Sequence, residues 1–213
     1  QSLEKPLGRT ELGSTLLFVR AQQEEAAHQL ERARGTYEAL VEREPYPVGP
    51  YWDEALLALS RLAERAKQFA VAASHLERLL SAREQSWITG SYERPAFAEA
   101  RFHLAELWRD HLGSPERAYR EFMLVYQEHT TSRLRDDAVF QAARIALRKH
   151  DQAAACRAAR VLTKDLSDSR YARCAGVICP SAISQHGVCP AYIEAELSNP
   201  STLDANQHTR ERP

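Results

Sequence analysis

The side chains best equipped for chemistry sit in the last third of the chain. Its four cysteines are Cys156, Cys174, Cys179 and Cys189, and His186 lies just ahead of the last of them. Cys174-x4-Cys179-x6-His186-x2-Cys189 gathers three thiols and an imidazole, the donor types of a tetrahedral zinc site. Structural zinc modules take their ligands in pairs about two to four residues apart, a spacing this segment does not have. Nor is it the Cys-x-x-Cys-His of haem attachment or a redox Cys-x-x-Cys. An even number of cysteines suits two disulfides better. If the last hairpin turns near Ser167, Cys156 and Cys179 stand level on antiparallel rods. Cys174 with Cys189 then completes the set. The other pairing, Cys156 with Cys174 and Cys179 with Cys189, stays open. Either set of bridges implies an oxidising compartment such as a periplasm. In a cytosol the same four would be small buried hydrophobes.

A second group of residues is suited to binding. Leu57, Arg61 and Arg65 follow one another at intervals of four, and so do Phe140, Arg144 and Arg148. Phe18 with Gln22, and Phe102 with Glu106 and Arg109, continue the pattern less strictly. On helices such spacings put each group on one stripe. Guanidiniums alternating with Phe and Leu suit an extended or helical peptide that carries carboxylates and apolar anchors, because the planar fork of Arg pairs bidentately with a carboxylate. The competing reading is a solvated face whose arginines pair with Glu64, Asp137 or neighbours. No Gly-rich phosphate loop, Gly-x-Ser-x-Gly or His-Glu-x-x-His is present, and the eight histidines are dispersed. No catalytic residue, cofactor or resident metal is assigned, and the chain is read as non-enzymatic.

These residues need helices to position them, and the composition supplies helices. Ala, Leu, Glu and Arg abound, against 8 Gly and 10 Pro in 213 residues. The 28 Lys+Arg nearly cancel the 29 Asp+Glu, which argues against a nucleic-acid partner. No apolar run reaches the roughly 18 residues of a membrane helix. Four segments carry a small residue, a small or apolar one four later and an apolar one three after that: Ala33–Tyr37–Leu40, Ala72–Leu76–Leu79, Ala118–Phe122–Val125 and Ala155–Ala159–Leu162. Each follows another amphipathic stretch: Leu17 to Gln29, Trp52 to Ala66, Ala98 to His111 and Ala138 to Lys149. The predicted unit is helix, turn, helix, used four times.

With its turns Ala66-Lys67-Gln68-Phe69-Ala70-Val71-Ala72, Leu112-Gly113-Ser114-Pro115-Glu116-Arg117-Ala118 and His150-Asp151-Gln152-Ala153-Ala154-Ala155, and with Pro45 closing the first unit, the chain resembles a tetratricopeptide repeat protein from about Ser14 to Tyr171. The anchors are spaced a little more widely than that family's period of about 34 residues. His129-Thr130-Thr131-Ser132-Arg133-Leu134-Arg135-Asp136-Asp137-Ala138 and Leu166-Ser167-Asp168-Ser169-Arg170-Tyr171-Ala172 look like the inter-repeat link of bacterial envelope members, similar to outer-membrane assembly lipoproteins and Tol-Pal coordinators. The resemblance implies an all-α, right-handed superhelical solenoid of antiparallel helix pairs whose concave groove is lined by the first helix of each pair. Phe18, Leu57, Arg61, Arg65, Phe102, Arg109, Phe140, Arg144 and Arg148 would then face a protein or peptide partner. Clamp-type members carry a Lys and Asn set where this chain has Leu57, Phe102 and Phe140, so that clamp is not expected.

The expected organisation is an N-terminal extension over 1–13, a repeat domain over 14–171, a Cys-containing cap over 172–194 and a polar, extended tail over 195–213. A long loop from Arg83 to Pro95 parts the second and third repeats, and its Trp87 and Tyr92 either contact a partner or close the gap between units. Gln1-Ser2-Leu3-Glu4-Lys5-Pro6 lacks the apolar stretch of a secretion signal, and an upstream anchor stays open. The expected function is a protein-interaction scaffold in a bacterial periplasm or envelope, with a cytoplasmic location as the alternative. The competing functions are a structural subunit held in a larger complex by its convex face and tail, and a zinc module at Cys174–Cys189.

Overall fold

The structure, a computed structural model, describes residues 11–47, 49–82, 95–182 and 187–198. The described residues form ten α-helices and one 3-10 turn, with no strand among them. The chain divides into two compact units, Gln1–Leu104 and Ala105–Pro213. The first holds α1 (Glu11–Ala26), α2 (Leu30–Arg43), α3 (Trp52–Arg65), α4 (Phe69–Ser81) and the start of α5 (Pro95–Asp110). The second holds the end of α5, then α6 (Pro115–Glu128), α7 (Arg135–Arg148), α8 (Gln152–Lys164), a 3-10 turn (Ala172–Cys174), α9 (Ala175–Ile178) and α10 (Ala191–Ser198). Consecutive helices pack pairwise: α1 on α2, α2 on α3 and α3 on α4, and in the second unit α6 on α7 and α7 on α8.

The predicted stripes make these contacts. Ala33, Ala72, Ala118 and Ala155 are fully buried, and Leu40, Leu76, Leu79, Phe122, Val125, Ala159 and Leu162 are as well. An alanine at each anchor lets the paired helix approach closely, and the larger residues above it fill the seam. Each large apolar side chain buried in this way contributes about 1.5–3 kcal/mol.

The hairpin turns share one backbone conformation. His28, Lys67, Gly113 and His150 have φ of 58°, 58°, 62° and 57°, and each stands two residues ahead of the next helix. Each also precedes its anchor alanine by five residues, so the turn recurs at the same intervals as the stripe. At His28, Lys67 and His150 the N–H donates to the carbonyl three residues back, at 2.9, 2.7 and 3.0 Å. The following N–H reaches the carbonyl five back, at 2.8, 2.8 and 2.9 Å. This double closure satisfies the last carbonyls of one helix and aims the chain into the next. At Gly113 the turn is wider, and Ser114 N–H reaches Trp108 O at 2.9 Å. Pro115, whose missing N–H costs nothing in a first turn, then opens α6.

The two link segments meet inside the second unit. Ser169 Oγ donates to Asp136 at 2.8 Å, Arg170 to Asp137 at 3.0 Å and the Tyr171 hydroxyl to Asp137 at 2.5 Å. The Tyr171 ring stacks on Phe140 with centroids 4.0 Å apart. Beyond it, the alanine face of α8 (Ala154, Ala155, Ala158, Ala159) admits the 3-10 turn and α9 into a core completed by Ile178 and Ile193. The extended tail expected from residue 195 differs from the structure as far as Ser198, because α10 is helical over Ala191–Ser198.

Candidate functional site

In the first unit, α1, α2, α3 and α5 enclose an open pocket of about 590 Å³. Phe18, Gln22, Leu57, Arg61 and Arg65 line it, all residues singled out by their spacing. Two aromatic rings line it, Phe18 meeting Tyr37 edge-on at 6.0 Å, and Phe18 also stacks on Tyr51 at 4.6 Å with the rings 9° apart. Leu57 is 9% exposed and presents only its edge. Arg65 is held by Glu25 at 2.8 Å, whereas Arg61 is exposed and has no carboxylate partner among the described residues. The Tyr37 hydroxyl faces Glu25 at 3.5 Å. Burial first and the Glu25 charge second push the Tyr37 pKa up to about 12, with Arg61 pulling the other way. Glu54, Glu99 and His28 complete the wall. Sequence spacing missed Glu25 and Tyr37 as pocket residues. Tyr37 sits at a packing position, and only its hydroxyl marks it as more than core.

The corresponding face in the second unit is closed. Phe140, at 1% exposure, belongs to the core and takes no part in a binding surface, which corrects the expectation placed on it. Its ring is consumed by Tyr171, a partner that arrives from the following link. Arg144 is 9% exposed at its side chain, bonded to Gln141 at 3.1 Å and paired with Glu196 of α10 at 3.6 Å. Burial lowers its pKa, and Glu196 opposes that shift. Arg109 is equally covered: it pairs with Asp110 at 2.6 Å, donates to Gln141 at 2.9 Å and lies over the Phe122 ring at 5.5 Å. Arg148 remains exposed. Phe102, on the α5 stretch of the first unit, is 8% exposed and lies in the core. The expected ion pairs are also reassigned, because Glu64 takes His103 at 2.5 Å and Asp137 takes Arg170 and Tyr171.

What covers Arg144 is α10. Its Ile193 is buried and its Leu197 packs on the same core as Phe140, Ala143 and Leu147. A remnant of about 300 Å³ stays open between Arg144, Leu147, Arg148 and His150 on one side and Glu196, Leu197 and Ser198 on the other. Nothing in the spacing of the short Ala191–Ser198 stretch foretold this placement.

The cysteines pair Cys156 with Cys179 and Cys174 with Cys189, with Cα separations of 4.8 and 4.5 Å. The small residues of α8 and α9 permit so close an approach. Sulfurs bonded in pairs leave no thiolate at Cys174, Cys179 or Cys189 for zinc, and His186 lies outside the described residues. Trp87 and Tyr92 also lie outside them. Two bridges of this geometry are compatible with an oxidising, extracytoplasmic compartment. No helix among the described residues is long and apolar enough to cross a membrane. No protein-family model and no curated protein matches this sequence.

Proposed function

We propose that the chain is a tetratricopeptide-type scaffold, non-enzymatic, which holds a segment of another protein in the pocket formed by Phe18, Leu57, Arg61 and Arg65. In this reading the hairpins stack as a right-handed superhelical array. The location is the periplasm or envelope of a bacterium, an assignment supported by the two bridges and the envelope-type links. The observation that carries the proposal is the pocket itself: the edge-on rings of Phe18 and Tyr37 in one wall with a guanidinium that has no carboxylate partner among the described residues. Such a site accepts an apolar side chain and a carboxylate together. The test is a peptide library in which acidic and apolar residues vary independently, screened against the disulfide-bonded chain. Selection of peptides with both features, lost on Arg61→Glu, supports the reading. Selection blind to acidic residues would sink it.

A second reading, a structural subunit held through the C-terminal cap, is favoured by Val188 and Tyr192, which flank Cys189 with 87% and 61% exposure. Val188→Asp and Tyr192→Ser would then release the chain from its complex while peptide selection stays intact.

A further inference from the structure

We propose that the α7 face carrying Arg144, Leu147 and Arg148 is a second docking surface, that α10 is its resident ligand, and that the outside partner it fits is a helical segment of the same chemistry. That chemistry is an apolar anchor, then a carboxylate three residues on, then a second apolar anchor one residue later, as in Ile193, Glu196 and Leu197. The first support is internal. Phe140, Arg144 and Arg148 on α7 repeat the spacing of Leu57, Arg61 and Arg65 on α3. On α3 the arginine ladder lines an open pocket, whereas on α7 Arg144 is met by Glu196 of a short helix and Arg148 stays exposed beside the remaining cavity. The second support is the contact itself. Glu196 approaches a nearly buried Arg144 at 3.6 Å, while Leu197 packs on the core and the cavity around them stays open over about 300 Å³. A carboxylate and an apolar side chain are thus engaged without the cavity being filled, so a longer segment has room to replace a short one. The third support is the tether. α10 starts two residues after Cys189, which the bridge pins to Cys174. A ligand held by so short a leash acts at an effective concentration on the order of millimolar. An outside segment must therefore displace α10, and the bridge keeps α10 at hand for return. This inference concerns the second unit alone, so failure of Arg61 variants to lose peptide leaves it standing.

The test uses the full, disulfide-bonded chain and one probe, a fluorescent peptide of residues 190–198 with blocked ends. Glu196→Arg together with Leu197→Asp dislodges the resident helix, since the reversed charge then faces Arg144. Expected is binding of the probe at least about tenfold tighter to this variant than to the wild-type chain. Adding Arg144→Glu, or replacing Glu196 by Gln in the probe, should remove most of the gain. Equal binding to wild type and variant, or binding indifferent to the Glu196→Gln probe, overturns the proposal. Should the variant fail to fold, hydrogen exchange on the wild-type chain decides. A displaceable α10 exchanges about a hundredfold faster than α8, and exchange in step with α8 makes it a fixed part of the core.

Discussion

Arg61 and Arg65 lie one turn apart on α3 and differ in circumstance. Arg65 is tied to Glu25, while Arg61 sits exposed at the pocket. Arg61→Glu should therefore cost about tenfold or more in peptide affinity, measured by titration, while stability stays within about 0.5 kcal/mol because an exposed side chain is changed. Tyr37 gives a pH signature. Its folded pKa is raised above the ordinary value of 10 to about 12, so the neutral phenol is favoured by folding. The stabilisation is fully present below the unfolded value and is lost as pH climbs from about 10 through about 12, on the order of 2 kcal/mol in all. Thermal melts across that range should steepen their decline there, and Tyr37→Phe should flatten it. At this scale the sequence was only half legible. Leu57 and Phe140 occupy like positions before like arginines, yet one edges a pocket while the other is stacked under Tyr171. The difference comes from a residue far along the chain, which local spacing does not encode.

The helices themselves were plain to read, because an alanine, a second small or apolar residue and a large one at offsets of four and three can serve only as a seam. The turns at Lys67, Gly113 and His150 were legible, but their shared left-handed conformation showed only at Gly113, since His28, Lys67 and His150 carry it on residues that do not advertise it. An L side chain in that region costs roughly 1–2 kcal/mol, and glycine removes most of the cost. Lys67→Gly and His150→Gly are accordingly expected to raise stability by about 0.5–1 kcal/mol each, whereas Gly113→Ala should lower it by a similar amount. Denaturant midpoints with unchanged slope would check all three. α10 was not legible for a different reason: eight residues span about two turns, too few for a period to show, and Ile193 and Leu197 pack on a core assembled from residues far back in the chain.

Taken as a whole, the chain puts all its cross-links in one of its two units. The bridges close intervals of 23 and 15 residues. By the chain-entropy account each is worth about 3 kcal/mol. Reduction should accordingly speed amide exchange throughout α8, α9 and α10 while α1 to α4 keep their protection. Equal loss in both units would mean that the bridges support more than the segment they enclose. The near-neutral balance of charge predicts weak salt dependence of solubility but a clear one for peptide capture, since the guanidinium at the pocket is exposed to screening.

The two bridges also interleave, Cys174 falling inside the first interval and Cys179 inside the second. Tension drawn through the two ends would cross from Cys156 to Cys179, run backwards along the backbone to Cys174, and cross again to Cys189. Residues 157–173 and 180–188 would carry none of that load. A protease that nicks the backbone once anywhere between Cys156 and Cys189 leaves both fragments in one covalent piece, which migrates as intact chain until a reductant is added.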